Sequence, residues 1–333
     1  MTGNVNNPIL AQTRRGDLIE NHYRGAYVVV DTDGDVLAAA GNFQSIIYAR
    51  SSLKPINVLA MITSGAADAL SVTDQEITLA CASHSGEDIH VNLVREWLGR
   101  LGLSYHDLEC GIHAPMGKSA NKALRAAGQN PTTFHNACSG KHAGFMTLAK
   151  YMGYPIKGYS QMGSTTQDHV MSVAAEILGI DKDTAPRGVD GCCIPMMGMT
   201  MLALAKGMAR LASPVGLSDN LRLACERVTR SVQTYPELIA GSGRFCTDVI
   251  SLTGGEVLVK MGADGVFVGW IPSKKWGIGL KIDDGNLKAA EVAMAALLKQ
   301  LKLISNPELL DHWINQPIHT WTRDIVGQFE SGV

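Results

Sequence analysis

The chain has 333 residues, 46% of them apolar and 18% charged: enough to bury a core unaided, and too little polarity for a disordered segment. A formal net charge of -2 and an isoelectric point near 6.5 leave no electrostatic footprint for nucleic acid or an anionic membrane, so a small-molecule partner is expected. Seven cysteines, an odd number scattered along a long chain, do not read as a disulfide framework and point to a reducing cytoplasm.

Residues 1–16 carry Arg14 and Arg15 with no apolar run behind them, so no signal peptide is expected. The longest apolar run, residues 194–205, is interrupted by glycine and too short to span a bilayer. Residues 26–31 and 36–40 are apolar runs joined by Thr32-Asp33-Gly34-Asp35, a hairpin signal. From Ser51 the pattern turns helical, with helices predicted over 52–63, 92–101, 140–152, 166–178, 198–211 and 219–232. Residues 256–261, 265–271 and 276–282 are again short and β-rich, and a final helix is predicted over 286–301. Strands at both ends of the chain can form one antiparallel sheet covered by the last helix, with the central helices as a second layer. There is no internal repeat and no low-complexity linker.

P-loop, G-x-G-x-x-G, H-E-x-x-H and G-x-S-x-G patterns are all absent, which argues against nucleotide binding, metalloprotease chemistry and the serine-esterase elbow. What remains begins at Arg50-Ser51-Ser52-Leu53-Lys54-Pro55. Ser51 and Lys54, three apart on the first turn of a helix, share one face, and a neutral lysine amine there can take the serine proton. Burial and a second cation would favour the neutral amine. By itself the spacing is weak: chance supplies about one S-x-x-K match in this composition, and Ser119-Ala120-Asn121-Lys122 is a second one, read as empty. The position of Ser51, where the strand-rich start gives way to helix, favours the first match.

Cys81-Ala82-Ser83-His84-Ser85-Gly86-Glu87 ends an apolar helical stretch and can present hydroxyls and an imidazole at a cavity edge; on local grounds a plain helix terminus fits equally. Lys260-Met261-Gly262 closes a predicted strand, and Lys-x-Gly beside an S-x-x-K helix is the arrangement of penicillin-recognising enzymes; the bland alternative is a strand-end lysine before a turn. Cys138-Ser139-Gly140-Lys141-His142 and Gly188-Val189-Asp190-Gly191-Cys192-Cys193 place thiols and an imidazole near glycine turns, which suits zinc, although the paired C-x-x-C of a zinc finger is missing and buried apolar cysteines would look the same.

Taken in order, Arg50-Ser51-Ser52-Leu53-Lys54-Pro55, Ala82-Ser83-His84-Ser85-Gly86-Glu87, residues 113–115, 136–144 (NACSGKHAG), 188–192 with Pro195, 241–244 (GSGR) and 260–265 resemble the Rhizobium etli-type L-asparaginase family, the class 3 type of asparaginase II. The resemblance runs from Tyr27 to about Gly285; the tail beyond Asn286 adds little. It implies an α/β (α+β) fold like that of serine β-lactamases and glutaminases, with an antiparallel sheet of N- and C-terminal strands packed against a central helical region. The chain would be a single catalytic domain, residues 1–333, with 22–50 and 245–301 as the sheet subdomain and 51–244 as the helical one. It further implies two Ser-Lys pairs, Ser51 with Lys54 and Ser83 with Lys260, and one zinc ion on Cys138, Lys141 and Cys192. Arg50, Asp190, His142 and Cys246 fall where the family lines its site. Met261 stands where β-lactamases have threonine, which argues against a β-lactam substrate.

The reaction so implied is hydrolysis of the L-asparagine side-chain amide through a serine ester, in a cytoplasmic homodimer that needs neither nucleic acid nor membrane. Glutaminase, β-lactamase or peptidase activity, and a non-enzymatic zinc-binding helical module, are the alternatives. One methylene separates asparagine from glutamine, worth only about 1–3 kcal/mol of discrimination.

Overall fold

The computed structural model describes residues 7–333; the six before them, part of the N-terminal stretch judged above, lie outside the described residues. The described strands are β1 (Ile9–Arg15), β2 (Leu18–Val30), β3 (Val36–Ala40), β4 (Ile46–Tyr48), β5 (Arg187–Val189), β6 (Pro195–Thr200), β7 (Leu258–Met261), β8 (Val266–Ile271), β9 (Trp276–Ile282), β10 (Pro317–His319) and β11 (Ile325–Ser331). By contacts the described chain divides into two compact units, one of residues 7–52, Met199–Ser213 and Val249–Val333, the other of Leu53–Gly198 and Pro214–Asp248.

The first unit is built on an antiparallel sheet in the order β10-β11-β1-β2-β9-β8-β7, with β3 also paired to β2. The expected hairpin forms because Asp31 Oδ1 accepts from the amides of Asp33 and Asp35, both at 3.0 Å, and Gly34 supplies φ +87°. Ala26 to Val30 are buried whichever way they point, so this half of β2 is a central strand; each buried valine contributes about 1.5–3 kcal/mol. Ala26, Val28 and Val30 pack on Met201, Ala205 and Ala209 of helix Met201–Ala212. Helix Leu287–Gln300 packs on β1, β8, β9 and β11. The approach of helix Met201–Ala212 requires glycine at 277, where a Cβ would fall 2.0 Å from the Ala205 carbonyl oxygen.

The helix predicted over 198–211 starts only at Met201. Met196 and Met197 pair with β5, and the Thr200 hydroxyl caps the helix by accepting from Ala203 N–H at 3.1 Å. The helix predicted over 52–63 is broken into a 3₁₀ turn, Arg50–Leu53, then Lys54–Asn57 and Leu59–Thr63. Pro55 has no N–H to return to Ser51, so the first turn cannot close as an α-helix.

In the second unit, helix Asp74–Cys81 opens with a Thr73/Glu76 capping box, worth about 1 kcal/mol. Arg100 holds the buried Glu76 carboxylate at 2.6 and 2.8 Å. This helix packs on helices Ser139–Met152 and Asp219–Thr234. A Cβ at Gly140 would meet the Leu79 carbonyl oxygen at 2.3 Å, so glycine there lets two helices cross at backbone distance just before Ser83. No helix among the described residues is long and apolar enough to cross a membrane.

Candidate active site

In the first unit, the turn bearing Ser51 lies against the end of β7. A Cβ at Gly262 would stand 2.7 Å from the Ala49 carbonyl oxygen and 3.2 Å from Ser52 N, so the glycine of Lys260-Met261-Gly262 admits that turn. Ser52 is buried and donates its hydroxyl to the Ala49 carbonyl at 2.7 Å, whereas Ser51 is half-buried. Of the two adjacent serines, Ser51 is thus the one presented. Arg50 takes φ +54°, unusual for a side-chain-bearing residue, and its guanidinium pairs with Asp264. Lys260 is fully buried, with Nζ donating to the Met261 carbonyl at 2.7 Å.

In the second unit, Lys54 is fully buried. Its Nζ donates to the Ala82 carbonyl, stands 3.1 Å from Ser83 Oγ and reaches the Ala137 carbonyl at 3.5 Å. These three partners serve both protonation states. An ammonium donates to all of them; a neutral amine keeps both carbonyls and takes the Ser83 hydroxyl hydrogen on its lone pair. Ser83 is held in place by its own N–H, which donates to the Ile239 carbonyl at 3.0 Å.

His84 is fixed in one neutral form. Nδ1 accepts from Gly86 N–H at 3.1 Å, so Nε2 carries the hydrogen and donates to Ser139 Oγ at 2.9 Å, which donates onward to the Phe134 carbonyl at 3.0 Å. Burial, followed by the neighbouring His90, Lys54, His113 and His135, holds this imidazole well below the usual histidine range. Both ring nitrogens are committed to structure, and neither is available as a base.

Helix Ser139–Met152 and the loop before β6 bring Cys138, Lys141, Asp190 and Cys192 together. Lys141 Nζ stands 2.9 Å from Cys192 Sγ, and the Cys192 thiol faces Asp190 Oδ2 at 3.6 Å. A hydrogen bond from Cys192, then the Lys54 and Lys141 charges, favours thiolate on Cys138 against the cost of burial. The same bond and burial push Cys192 up. Burial opposes the Lys141 charge, but Cys192, Cys138 and Asp190 outweigh it and raise the lysine above its ordinary value. Cys193 takes φ +72° and is exposed, so of the neighbouring pair it is Cys192 that joins the cluster. Among the described residues no three His, Cys, Asp or Glu side chains are grouped to hold a metal, so a metal at this place would depend on Lys141 as a ligand. Cys246 is buried at the start of helix Phe245–Leu252.

His142 is fully buried, and burial, then Lys141 and Lys54, lowers its pKa well below the usual value. Its Nδ1 lies 2.7 Å from the hydroxyl of Tyr159, a residue with no motif around it and missed in the sequence. Near the Ser83 segment, an open cavity of about 630 Å³ is lined by Ser85, Glu87, Lys118, Ser242 and Arg244; Arg244 reaches Ser85 Oγ at 3.3 Å.

The buried hydrogen bond between Lys54 and Ser83 is the kind of pairing in which a hydroxyl and its base meet in serine-dependent hydrolases. The sequence profile of the L-asparaginase II family matches residues 11–331, and the chain belongs to that family. It is an asparagine amidohydrolase. A comparison with curated protein sequences finds no match. Among solved structures it is similar to a β-lactamase from Mycobacterium bovis, with 13% identity, 83% of this chain and 94% of that one covered and a TM-score of 0.46. It is also similar to the D-alanine carboxypeptidase AmpC from Burkholderia cenocepacia, with 11% identity, coverage of 82% and 93% and a TM-score of 0.40.

Proposed function

We propose that this amidohydrolase is of the Rhizobium etli type and works through Ser51, Lys54, Ser83 and Lys260. Ser51 Oγ attacks the side-chain amide carbon of L-asparagine as Lys54 takes its proton. The proton passes to the departing nitrogen, ammonia leaves, and water hydrolyses the β-aspartyl ester to L-aspartate and free Ser51. Ser83 and Lys260 relay protons. The observation that carries this reading is the bond between Lys54 Nζ and Ser83 Oγ, at 3.1 Å, with two backbone carbonyls on the same nitrogen. It lets Lys54 take up and release a proton without moving, as a general base must. Arg50 or Asp190 takes the charged α-substituents of the substrate, and His142 and Cys246 complete its surroundings.

Cys138, Lys141 and Cys192 would hold a zinc ion. The soft donor set and the 2.9 Å approach of amine to thiol fit that metal. Zinc would supply a fixed positive charge that positions the neighbouring groups, and Lys141 would bind it as the neutral amine. The family resemblance also carries the expectation of a homodimer in a cytoplasmic setting.

Ammonia release from asparagine, glutamine and a β-lactam, with intact-mass detection of an acylated protein, tests the reading. Turnover of asparagine with a mass adduct on Ser51 is expected. Release from the β-lactam alone would replace this reading with that of a penicillin-recognising enzyme.

A further inference from the structure

The hydrogen bonds around Tyr159 determine which nitrogen of His142 carries its hydrogen. Tyr159 Oη accepts from the Glu109 backbone N–H at 3.1 Å and stands 2.7 Å from His142 Nδ1. An amide can only donate, so the phenolic hydrogen is left for an acceptor, and His142 Nδ1 is in reach. An accepting Nδ1 places the ring hydrogen on Nε2. That nitrogen is buried, and the Cys192 backbone carbonyl is the acceptor beside it, too poorly placed for a well-formed hydrogen bond.

The tyrosine is itself clamped. The Glu109 carboxylate accepts from Gly158 N–H at 2.6 Å, from Ser160 N–H at 3.1 Å and from the Ser160 hydroxyl at 2.6 Å, gripping the chain on both sides of Tyr159. Glu109 thus binds residues 158 and 160 with its side chain and the residue between them with its backbone. Such an arrangement fixes a hydroxyl in place, and among the described residues that hydroxyl serves, besides Glu109, the imidazole. A donor so weakly matched in so tightly matched a surround can turn to a better acceptor that arrives.

We propose that Tyr159, held by Glu109, is a positioning residue that locks His142 as an Nε2–H donor, and that the acceptor is an oxygen of the bound substrate, a carboxylate or amide carbonyl. This rests on the amidohydrolase reading above. A corollary follows for the thiol cluster next to it: with Nδ1 accepting and Nε2 protonated, His142 has no lone pair to offer a metal, and it stands outside the ligand set.

The test is ring-¹⁵N histidine NMR on the full chain, with the His142 signal identified by its loss in His142→Gln. In the wild type, Nδ1 is expected to be of the unprotonated type and Nε2 of the protonated type, with Nε2 shifting when asparagine is added to Ser51→Ala. Tyr159→Phe should erase the tautomer preference and raise KM for asparagine roughly tenfold or more, with a smaller change in kcat. His142→Gln keeps an N–H near the Nε2 position, so adding Tyr159→Phe to it should cost little more. A protonated Nδ1 in the wild type would overturn the proposal even if Tyr159→Phe fails to fold. So would an unchanged tautomer and KM in Tyr159→Phe, or an equal penalty for that change with and without His142. A wild type with the stated tautomer that releases no ammonia from asparagine would instead sink the amidohydrolase reading and the substrate acceptor with it, leaving the lock itself standing.

Discussion

Lys54 Nζ stands 3.1 Å from Ser83 Oγ, although 29 residues separate the two in the chain. Spacing relates Lys54 to Ser51; the fold of the second unit adds Ser83, because helix Asp74–Cys81 ends at a backbone crossing allowed by Gly140 and passes through an extended Ala82 into Ser83. Lys54 therefore has a hydroxyl partner that no local motif specifies.

Replacing Lys54 by Met should lower kcat by about 10²–10⁴, the range that a positioned general base supplies. Ser51→Ala should abolish turnover and the acyl adduct together while leaving the folded protein intact by circular dichroism. Ser83→Ala should slow turnover and still form the adduct. If Ser51→Ala keeps near-normal rates and only Ser83→Ala is dead, the nucleophile is Ser83 and the assigned roles are exchanged.

Adjacent thiols give a sharp test of the zinc site. Cys192 is buried beside Lys141, and Cys193 is exposed in a left-handed conformation. Protein purified without chelator should carry close to one zinc per chain by elemental analysis, lost in Cys192→Ser and kept in Cys193→Ser. Roughly a tenth of an equivalent or less in the wild type would remove the site.

Much of this could be read along the chain, and the failures have physical causes. The strongly apolar hairpin, β7 to β9 and the long amphipathic helices announce themselves because burial imposes their periodicity. β1, β10 and β11 do not: β1 is half polar and carries two register shifts against β2, and β10 has three residues, two of them exposed. The site was legible where glycine and proline frame it, as at Lys260-Met261-Gly262 and Lys54-Pro55. Tyr159 and Glu109 were invisible because their meaning lies in one hydroxyl and one carboxylate reaching across 50 residues of chain. No period or spacing encodes such a contact.

Two glycines should respond oppositely to alanine. At Gly277 the new methyl would collide with the Ala205 and Ala209 backbone, and neither helix nor strand can withdraw cheaply; a loss of about 1–3 kcal/mol or more is expected. Gly99 is an exposed glycine within helix Asp88–Arg100 with open space around it, so alanine there should add roughly 0.5–1 kcal/mol. Urea unfolding of the two variants measures both signs, and a stable Gly277→Ala protein would mean that the helix does not lie where it is described.

The stacked imidazoles of His84 and His90, 5.0 Å apart and 11° from parallel, should contribute to the acid edge of stability. Burial lowers both pKa values. At His84 the neighbouring His90, Lys54, His113 and His135 lower it further; at His90 the Glu237 carbonyl and Glu87 partly oppose burial, and Arg244 adds to it. The folded state therefore resists protons that the unfolded chain accepts near the ordinary value of 6.5. Stability from these groups is complete above that pH and declines below it, until the depressed folded pKa values are passed. Each histidine in that window contributes a slope of up to about 1.4 kcal/mol per pH unit. The depressed carboxylates Glu330 and Asp181 act only below their own ordinary values of 4.5 and 3.8, so between pH 6.5 and 5 the pair shares the slope with the other lowered groups, His135, His142, His169 and the Cys138 thiol. His90→Gln removes one titrating ring and keeps a donor for the Glu237 carbonyl, which His90 Nε2 approaches at 3.2 Å. Unfolding free energy should then fall less steeply between pH 6.5 and 5 than in the wild type, with the two curves parallel above pH 7. Curves that stay parallel through the whole range would show that this buried pair does not contribute to the acid response.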